Sequence, residues 1–300
     1  MSLKTNESSL IMTAVQGFTA FPGASGWRVA HDGQGIMLPG VGGISYNLKV
    51  GDSAYGWVAD HAEPCVSAVA ALDKRDQGVN LSFNYFACLG NEARILSGEA
   101  KGGRGIVTGT HGGCEHVMID FPDEILDQLS HDDKIQIRAW GQGLTLPDYP
   151  EILIWNLSPT LFHKMGIEED PSSGQLRIPV SAVVPPELLG SGLGRTDGYK
   201  ADIDIQTSDR AYLTHLGLDK LKLGDFVALL DYKSYYGWSF QKEAITIGVV
   251  CHTDSYTAGH GPGVTTLITG LAGKIQPILS PHANLGHYLK IGRYRQHGAT

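Results

Sequence analysis

The chain has 300 residues, of which 42% are hydrophobic and 18% charged, so it has the composition of a soluble globular protein with one large domain or two of ordinary size. Its formal net charge of −8 gives no general attraction to phosphate backbones, which argues against nucleic acid as a partner. Glycine accounts for 39 residues, well above the usual share of about 7%, and this excess predicts many tight turns and a β-rich architecture.

Neither cysteine usage nor hydropathy points to export or to a membrane. The four cysteines are far apart and form no C-x-x-C pair: Cys65, Cys88, Cys114 and Cys251. The opening MSLKTNESSL lacks the basic and apolar segments of a signal peptide. Since no apolar run approaches the roughly 18 residues of a membrane span, we expect a cytoplasmic protein with no membrane partner.

The first candidate site in chain order is WVADHAEP, residues Trp57–Pro64. Asp60, His61 and Glu63 all carry side chains that bind hard or borderline cations. The alternative interpretation is a polar turn ahead of the proline.

The second is GIVTGTHGGCEHVMIDF, residues Gly105–Phe121, in which two β-rich runs flank Gly112-Gly113. This dipeptide suits a two-residue type I′ turn, which would pair His111 with Cys114 and Gly109 with His116. His111, Cys114 and His116 would then project from one face, because cross-strand partners and residues two apart share a face. Two imidazoles and a thiol predict a site for zinc or another divalent metal. Solvent-facing histidines and a packing cysteine are the alternative.

Several short helices carry capping signals. Ser-Pro pairs begin SPTLFHKMG and the segment SPHANLGHYL, while PDEILDQL and SDRAYLTHLG complete the set. LPDYPE, near residue 148, interrupts the chain with two prolines and marks a boundary. We therefore predict a β-rich α+β fold with barrel-like or sandwich sheets and short capped helices. Its N-terminal β-rich portion spans residues 1–148, and a closely packed α+β portion spans residues 149–300.

The last candidate site follows a buried strand in AITIGVVCHTDSYTAGHGPGVTT. His252 and Asp254 share a face by alternation, so the carboxylate would orient the imidazole as a general base. His260 follows on a glycine-rich loop whose backbone N–H groups would meet a ligand. The candidate catalytic residues are His252, Asp254 and His260, and the candidate ligand-binding residues are Gly259, Gly261, Gly263 and Thr265. The alternative is ordinary loop polarity.

Several stretches together resemble a known prokaryotic family. They include LPGVGGISYNLKVGDSAYGW, HGGCEHVMIDFP, VPPELLGSGLGR and ITIGVVCHTDSYTAGHGPGVTTL. The chain resembles, over nearly its whole length, the family catalogued as domain of unknown function 4438. The resemblance implies an N-terminal and a C-terminal portion, and it implies no activity or catalytic residue.

The clusters of histidines and carboxylates at strand ends favour an enzyme acting on a small polar metabolite. We expect acid–base or metal-assisted chemistry, with a hydrolase as the leading class. Two alternatives come from other classes: a non-catalytic module that binds a small anion, and a structural homo-oligomer whose loops make subunit contacts.

Overall fold

The computed structural model of the protein describes residues 3–23, 27–71, 78–194, 202–235 and 238–296. Strands make up 37% of it and helices 15%, which confirms the predicted β-rich fold with short helices. Within the described residues, no helix has both the length and the apolar character that crossing a membrane requires.

The described residues of the first half contain nine strands and two helices. The strands are β1 (Thr13–Thr19), β2 (Arg28–Val29), β3 (Gly35–Ile36), β4 (Ile44–Ser45), β5 (Cys65–Val69), β6 (Glu92–Ile95), β7 (Arg104–His111), β8 (His116–Asp120) and β9 (Lys134–Ala139). The helices are α1 (Gly78–Phe86) and α2 (Asp123–Leu126).

The second half contributes nine strands and three helices. The strands are β10 (Leu153–Ile154), β11 (Glu168–Glu169), β12 (Leu176–Val180), β13 (Ala182–Val184), β14 (Asp202–Asp204), β15 (Phe226–Tyr235), β16 (Trp238–Val250), β17 (Gly263–Gly270) and β18 (Ile275–Leu279). The helices are α3 (Pro159–Phe162), α4 (Arg210–Leu216) and α5 (Leu285–Leu289). Four 3-10 helices lie at Glu7–Ser9, Pro186–Leu188, Leu218–Lys220 and Gly292–Tyr294.

Six strands of the first half form a closed antiparallel barrel in the order β1-β9-β6-β7-β8-β5, because β1 pairs with both β9 and β5. Strand β4 extends the sheet beyond β5. Alternation fills the interior: in β9, Ile135 and Ile137 are fully buried while Lys134 and Arg138 are exposed. Barrel closure leaves the six strands without free edges, so the barrel is a rigid support for its end loops.

The second half is built on β10-β17-β16-β15-β13, with β14 also paired to β17. A smaller sheet, β11-β12-β18, packs beside it. One apolar cluster contains Leu89 and Leu144 from the first half together with Phe226, Ile247 and Leu267 from the second. The two halves therefore share a hydrophobic core.

The structure corrects the predicted register of the β7–β8 hairpin. His111 pairs with His116, and residues 112–115 form a four-residue turn. Gly113 and Glu115 both adopt left-handed backbone conformations, with φ of 81° and 56°. A non-glycine residue rarely takes this conformation, so the sequence favoured the shorter turn at Gly112-Gly113. The observed pairing places His111 and His116 directly opposite each other.

Helix ends agree with the capping signals at α3 but not at α5. The Ser158 Oγ accepts a hydrogen bond from the Leu161 N–H at 3.2 Å, as expected of an N-cap. Helix α5 begins after Asn284, whose Oδ1 accepts from the Gly286 N–H at 2.8 Å, so the expected start at Ser280-Pro281 was wrong.

Candidate metal centre

A buried polar cluster lies where the tip of the β7–β8 hairpin meets β14 and the adjoining ends of β16 and β17. It gathers side chains from five separate segments: His61, Glu63, His111, Cys114, His116, Asp202, Asp204, His252 and His260. All of them are buried except His260, which is partly exposed. Such a concentration of ionisable groups is costly inside a protein unless the groups are paired or bind metal.

Strand β14 supplies the two central carboxylates. Asp202 and Asp204 are two residues apart, so both side chains lie on one face of the strand. In the antiparallel pairing with β17, Asp204 is opposite Gly263. A Cβ atom at Gly263 would lie 2.1 Å from His252 Nε2 and 2.6 Å from Asp202 Oδ2, so a side chain there would occupy the space of the cluster. Glycine at this position is what lets the cluster approach the strand.

Three histidines direct their Nε2 atoms at the aspartate pair. His252 Nε2 lies 2.8 Å from Asp202 Oδ2 and 3.5 Å from Asp204 Oδ1. His111 Nε2 lies 4.0 Å from Asp202 Oδ2, and His61 Nε2 lies 3.6 Å from Asp204 Oδ2. The His111 and His252 rings stack with centroids 4.3 Å apart.

The Nδ1 atoms of the same three rings face outward to other partners. His252 Nδ1 donates to the Thr253 carbonyl at 2.8 Å, and His111 Nδ1 lies 2.5 Å from Glu63 Oε1. His61 Nδ1 lies 3.2 Å from Asp60 Oδ2. The His252 and His111 contacts are hydrogen bonds, and an outer acceptor of this kind fixes the tautomer and leaves the other ring nitrogen free to bind metal. The His61–Asp60 contact is close but lacks hydrogen-bond geometry.

His260 completes the inner group from the glycine-rich loop. Its Nδ1 lies 2.9 Å from His61 Nε2 and 2.9 Å from Asp204 Oδ2. Yet Asp204 Oδ2 is buried and makes no contact of hydrogen-bond geometry with any described residue. The spacings of 2.9, 2.9 and 3.6 Å are close to the separation of about 3.3 Å between ligands of a tetrahedral zinc ion. The His260 side chain is 29% exposed, so this side of the cluster faces solvent.

Glu63 is the centre of a neighbouring but different network. Its carboxylate accepts hydrogen bonds from the Gly42 N–H at 2.7 Å and from the Ser67 hydroxyl. It also contacts His111 Nδ1 at 2.5 Å and His116 Nδ1 at 2.9 Å. Cys114 Sγ lies 3.6 Å from the same carboxylate. These donors occupy both oxygens of Glu63.

Burial and charge act against each other on the pKa values of the cluster. Desolvation favours the neutral form of His252, but its contacts with Asp202 and Asp204 outweigh this and raise its pKa well above the ordinary value. Burial likewise opposes ionisation of Asp204, and the imidazoles of His252, His260 and His61 more than offset it, so the pKa of Asp204 falls well below its usual range. For His111, burial and the neighbouring His252 together lower the pKa. The two aspartates therefore favour the ionised form, and the same contacts favour the protonated form of His252 that faces them.

Among the predicted metal ligands, the three hairpin residues meet around Glu63 rather than around one another. His111 reaches Glu63 with Nδ1 and Asp202 with Nε2, so it joins the two networks. Cys114 and His116 both contact Glu63, and ligand atoms of these three residues lie within 4.8 Å of one another.

Asp254 does not contact His252, so the expected pairing of these two residues was wrong. Its carboxylate instead accepts from the Thr207 hydroxyl at 2.8 Å and pairs with Arg210. The carboxylate that contacts the His252 imidazole is that of Asp202 instead. Asp202 lies fifty positions before His252 in the chain.

The predicted ligand-binding loop is packed against its surroundings. The Gly259 carbonyl accepts from the Ser191 N–H at 2.8 Å, and a Cβ at Gly261 would lie 1.8 Å from the Ile205 carbonyl oxygen. The Thr265 hydroxyl exchanges hydrogen bonds with the backbone of Thr110 at 3.1 and 3.0 Å, which ties β17 to β7. Gly263 lies directly against the cluster.

Sequence reasoning missed Asp202 and Asp204. The available signal was the alternation Asp-Ile-Asp-Ile at 202–205, which places two carboxylates on one face and two buried isoleucines on the other. Asp60, His61 and Glu63 were recognised as candidate cation ligands, but nothing local connected them to the other histidines.

The closed barrel, the second sheet and the polar cluster between them define a two-part protein whose halves both contribute to one site. The chain belongs to the family described as Domain of unknown function (DUF4438), whose N-terminal profile matches residues 27–163 and whose C-terminal profile matches residues 164–289. A crystal structure of TM1086 is similar to this chain with a TM-score of 0.89 and 42% sequence identity, covering 96% of this chain and 99% of that one. No curated protein matches the chain.

Proposed function

We propose that this protein is a metal-dependent hydrolase of small polar substrates, with its metal bound at Asp202 and Asp204. The observation that carries the proposal is the shared orientation of His61, His111 and His252. Each ring has its outer nitrogen beside a carbonyl or carboxylate oxygen and its inner nitrogen directed at the aspartate pair. A network built only for stability has no need to fix three inner nitrogens in this way.

The inner atoms divide into two adjoining ligand sets. His61, Asp204 and His260 form one, and His111, Asp202 and His252 form the other, with the ligand atoms of each set within 4.8 Å of one another. The two sets are in contact because His252 Nε2 is 3.5 Å from Asp204 Oδ1. Imidazole and carboxylate ligands suit zinc and other borderline divalent ions. The two sets would allow the protein to hold two ions side by side, one at Asp202 and one at Asp204.

Bound divalent ions would supply two effects. They lower the pKa of coordinated water, which makes it a nucleophile at neutral pH, and they polarise a substrate carbonyl or phosphoryl oxygen. The protein's part is to hold the ligands and to control access. With three protein ligands in each set, a bound ion would be able to accept water or substrate as a further ligand. His260 is the partly exposed member, so the substrate would approach along its side of the cluster.

The outer residues keep the inner histidines in place. Asp60 faces His61 Nδ1 and is itself bound by the Ser255 hydroxyl at 2.7 Å and the Tyr256 N–H at 3.1 Å. Burial raises the pKa of Asp60, but its contact with His61 and its hydrogen bonds outweigh that effect, so the pKa is lowered and the carboxylate stays ionised. This carboxylate–histidine pairing increases the basicity of the ligand.

All four cysteines are buried and none of them forms a disulfide in the described structure, which supports a reducing, cytoplasmic setting for the enzyme.

Metal analysis of Asp204→Asn and of the wild type tests the proposal. The protein is purified without an affinity tag, stripped with a chelator and reloaded with zinc or manganese. We expect bound metal in the wild type, and metal-dependent cleavage of one class in a panel of esters, amides and phosphoesters. Asp204→Asn should lose both metal and cleavage. The matched control is Asp132→Asn, which changes an exposed aspartate outside the cluster. A reloaded wild type that retains no metal would overturn the proposal.

A further inference from the structure

A cavity lies outside the barrel, between its strands and the segment Leu289–Arg295 of the second half. Its volume is about 780 Å³, within the range of about 300–1,000 Å³ that is typical of small-molecule sites. Five cationic side chains line it: Arg94, Arg104, Arg138, Lys290 and Arg295. The lining carries two acids, Glu92 and Asp120.

The concentration of positive charge is unusual for this chain. Five of its 23 lysines and arginines line one cavity, although acids outnumber bases by eight. Asp120 is already bound by Arg295, so it offsets that guanidinium only. The remaining four cations are opposed within the lining by Glu92 alone.

Strand pairing brings two of the arginines face to face. Arg94 of β6 is the direct cross-strand partner of Arg104 of β7, and on its other side it pairs with Gln136 of β9. Arg138 lies two residues beyond Gln136 and therefore on the same face. Like charges opposite each other in a sheet are destabilising. Nowhere in the described part of the chain does a carboxylate form an ion pair with Arg94, Arg104 or Arg138.

The cavity is remote from the metal centre. Arg104 begins β7 and His111 ends it, so seven steps of about 3.3 Å separate them, a distance of about 23 Å. A ligand in the cavity would not contact the aspartate pair.

We propose that this cavity binds a small polyanion that carries two or more phosphate or carboxylate groups. The guanidinium fork matches either group through two parallel hydrogen bonds. One anionic group fits between Arg94 and Arg104, where it relieves their mutual repulsion. A second group reaches Arg138 or Lys290, and Lys290 comes from the opposite wall. The bound anion thereby bridges the barrel and the second half of the chain. This inference does not depend on the proposed hydrolase activity.

Isothermal titration with inorganic pyrophosphate and, separately, with tricarballylate tests the site and distinguishes phosphate from carboxylate ligands. The test compares the wild type with an Arg94→Gln, Arg104→Gln double variant and with Arg138→Gln. Arg177→Gln changes an exposed arginine on β12 and is the matched control. A fourth variant, His260→Asn, changes the proposed metal centre. Loss of probe binding in this variant would show that the probe binds there rather than in the cavity.

We expect the wild type to bind at least one probe, and the double variant to bind it more than about tenfold more weakly, because each lost charged hydrogen bond is worth at least that much. Arg138→Gln should weaken binding to a smaller extent and provides the same test if the double variant does not fold. Arg177→Gln and His260→Asn should bind as the wild type does. Failure of both probes to bind the wild type would overturn the proposal, as would binding that is lost in His260→Asn and kept in the arginine variants.

Discussion

Two carboxylate–imidazole networks lie side by side in this protein, one around Glu63 and one around Asp202 and Asp204. Glu63 receives donors of several kinds, including the backbone N–H of Gly42 and the hydroxyl of Ser67. Asp204 is surrounded by imidazole nitrogens, and its buried Oδ2 has no hydrogen-bond partner among the described residues. Under the proposed function, the difference separates two uses of the same side chains: the Glu63 carboxylate, saturated by donors, would stabilise the fold, and the Asp204 carboxylate among imidazoles would bind a cation.

The largest effect should come from Glu63→Ala, through stability. It would leave Ser67, His111, His116 and the Gly42 N–H without their acceptor, and removing one partner from a buried charged network costs about 3–5 kcal/mol. Denaturant unfolding would measure the loss, with Glu99→Ala, an exposed glutamate, as the control. Metal content would be measured in parallel. Complete loss of metal with an unchanged unfolding free energy would reverse the roles assigned to the two networks.

Gly263→Ala should act mainly on the metal centre. The added methyl carbon would lie 2.1 Å from His252 Nε2, so the imidazole or Asp202 must move by an ångström or more. A displacement of that size in a catalytic group costs about 100-fold in activity. Gly270→Ala on the same strand is the control, because its Cβ would meet only the flexible Ile275 and Lys274 side chains within 3.4 Å. Equal metal content in Gly263→Ala and wild type would argue against His252 and Asp202 as ligands.

Asp60→Asn should have a smaller effect on the same centre. Asp60 orients His61 without reaching the inner ligand atoms, and changes of this kind lower metal affinity by about 10–100-fold. Competition with a chromophoric chelator would measure it. An affinity equal to that of the wild type would mean that His61 is not a ligand.

The smallest effect is expected for Cys114→Ser. This variant tests whether zinc binds at the aspartate pair or beside Glu63 at the hairpin turn. Cys114 contacts Glu63 and the His111 carbonyl and belongs to neither of the two ligand sets of the aspartate pair, so zinc affinity should change by less than about threefold, well below the effect of losing an outer partner. Chelator competition with zinc is again the measurement. A loss comparable to that of Asp60→Asn would move zinc to the hairpin turn, where the sequence first placed it.

The sequence predicts this fold better than it predicts the site, for physical reasons. The glycine excess predicts the β-rich fold and the Ser-Pro pair predicts α3, because composition and capping signals do not depend on which distant segments meet. The hairpin register depended on Glu115 adopting a left-handed conformation, which its residue type disfavours. The partner of His252 comes from β14, and a contact between residues fifty positions apart is set by topology rather than by spacing. Asp254 was the nearest carboxylate in the chain, but Arg210 binds it instead.

The distribution of the inner ligands along the chain has a consequence for inheritance. His61 and His111 come from the half matched by the N-terminal profile, while Asp202, Asp204, His252 and His260 come from the half matched by the C-terminal one. Neither half alone contains either ligand set in full. A gene split between the two would yield two products that must reassemble before either could hold the metal. Under the proposed function, natural selection on this centre would act on both halves as a single unit, and recombination within the family should rarely exchange one half without the other.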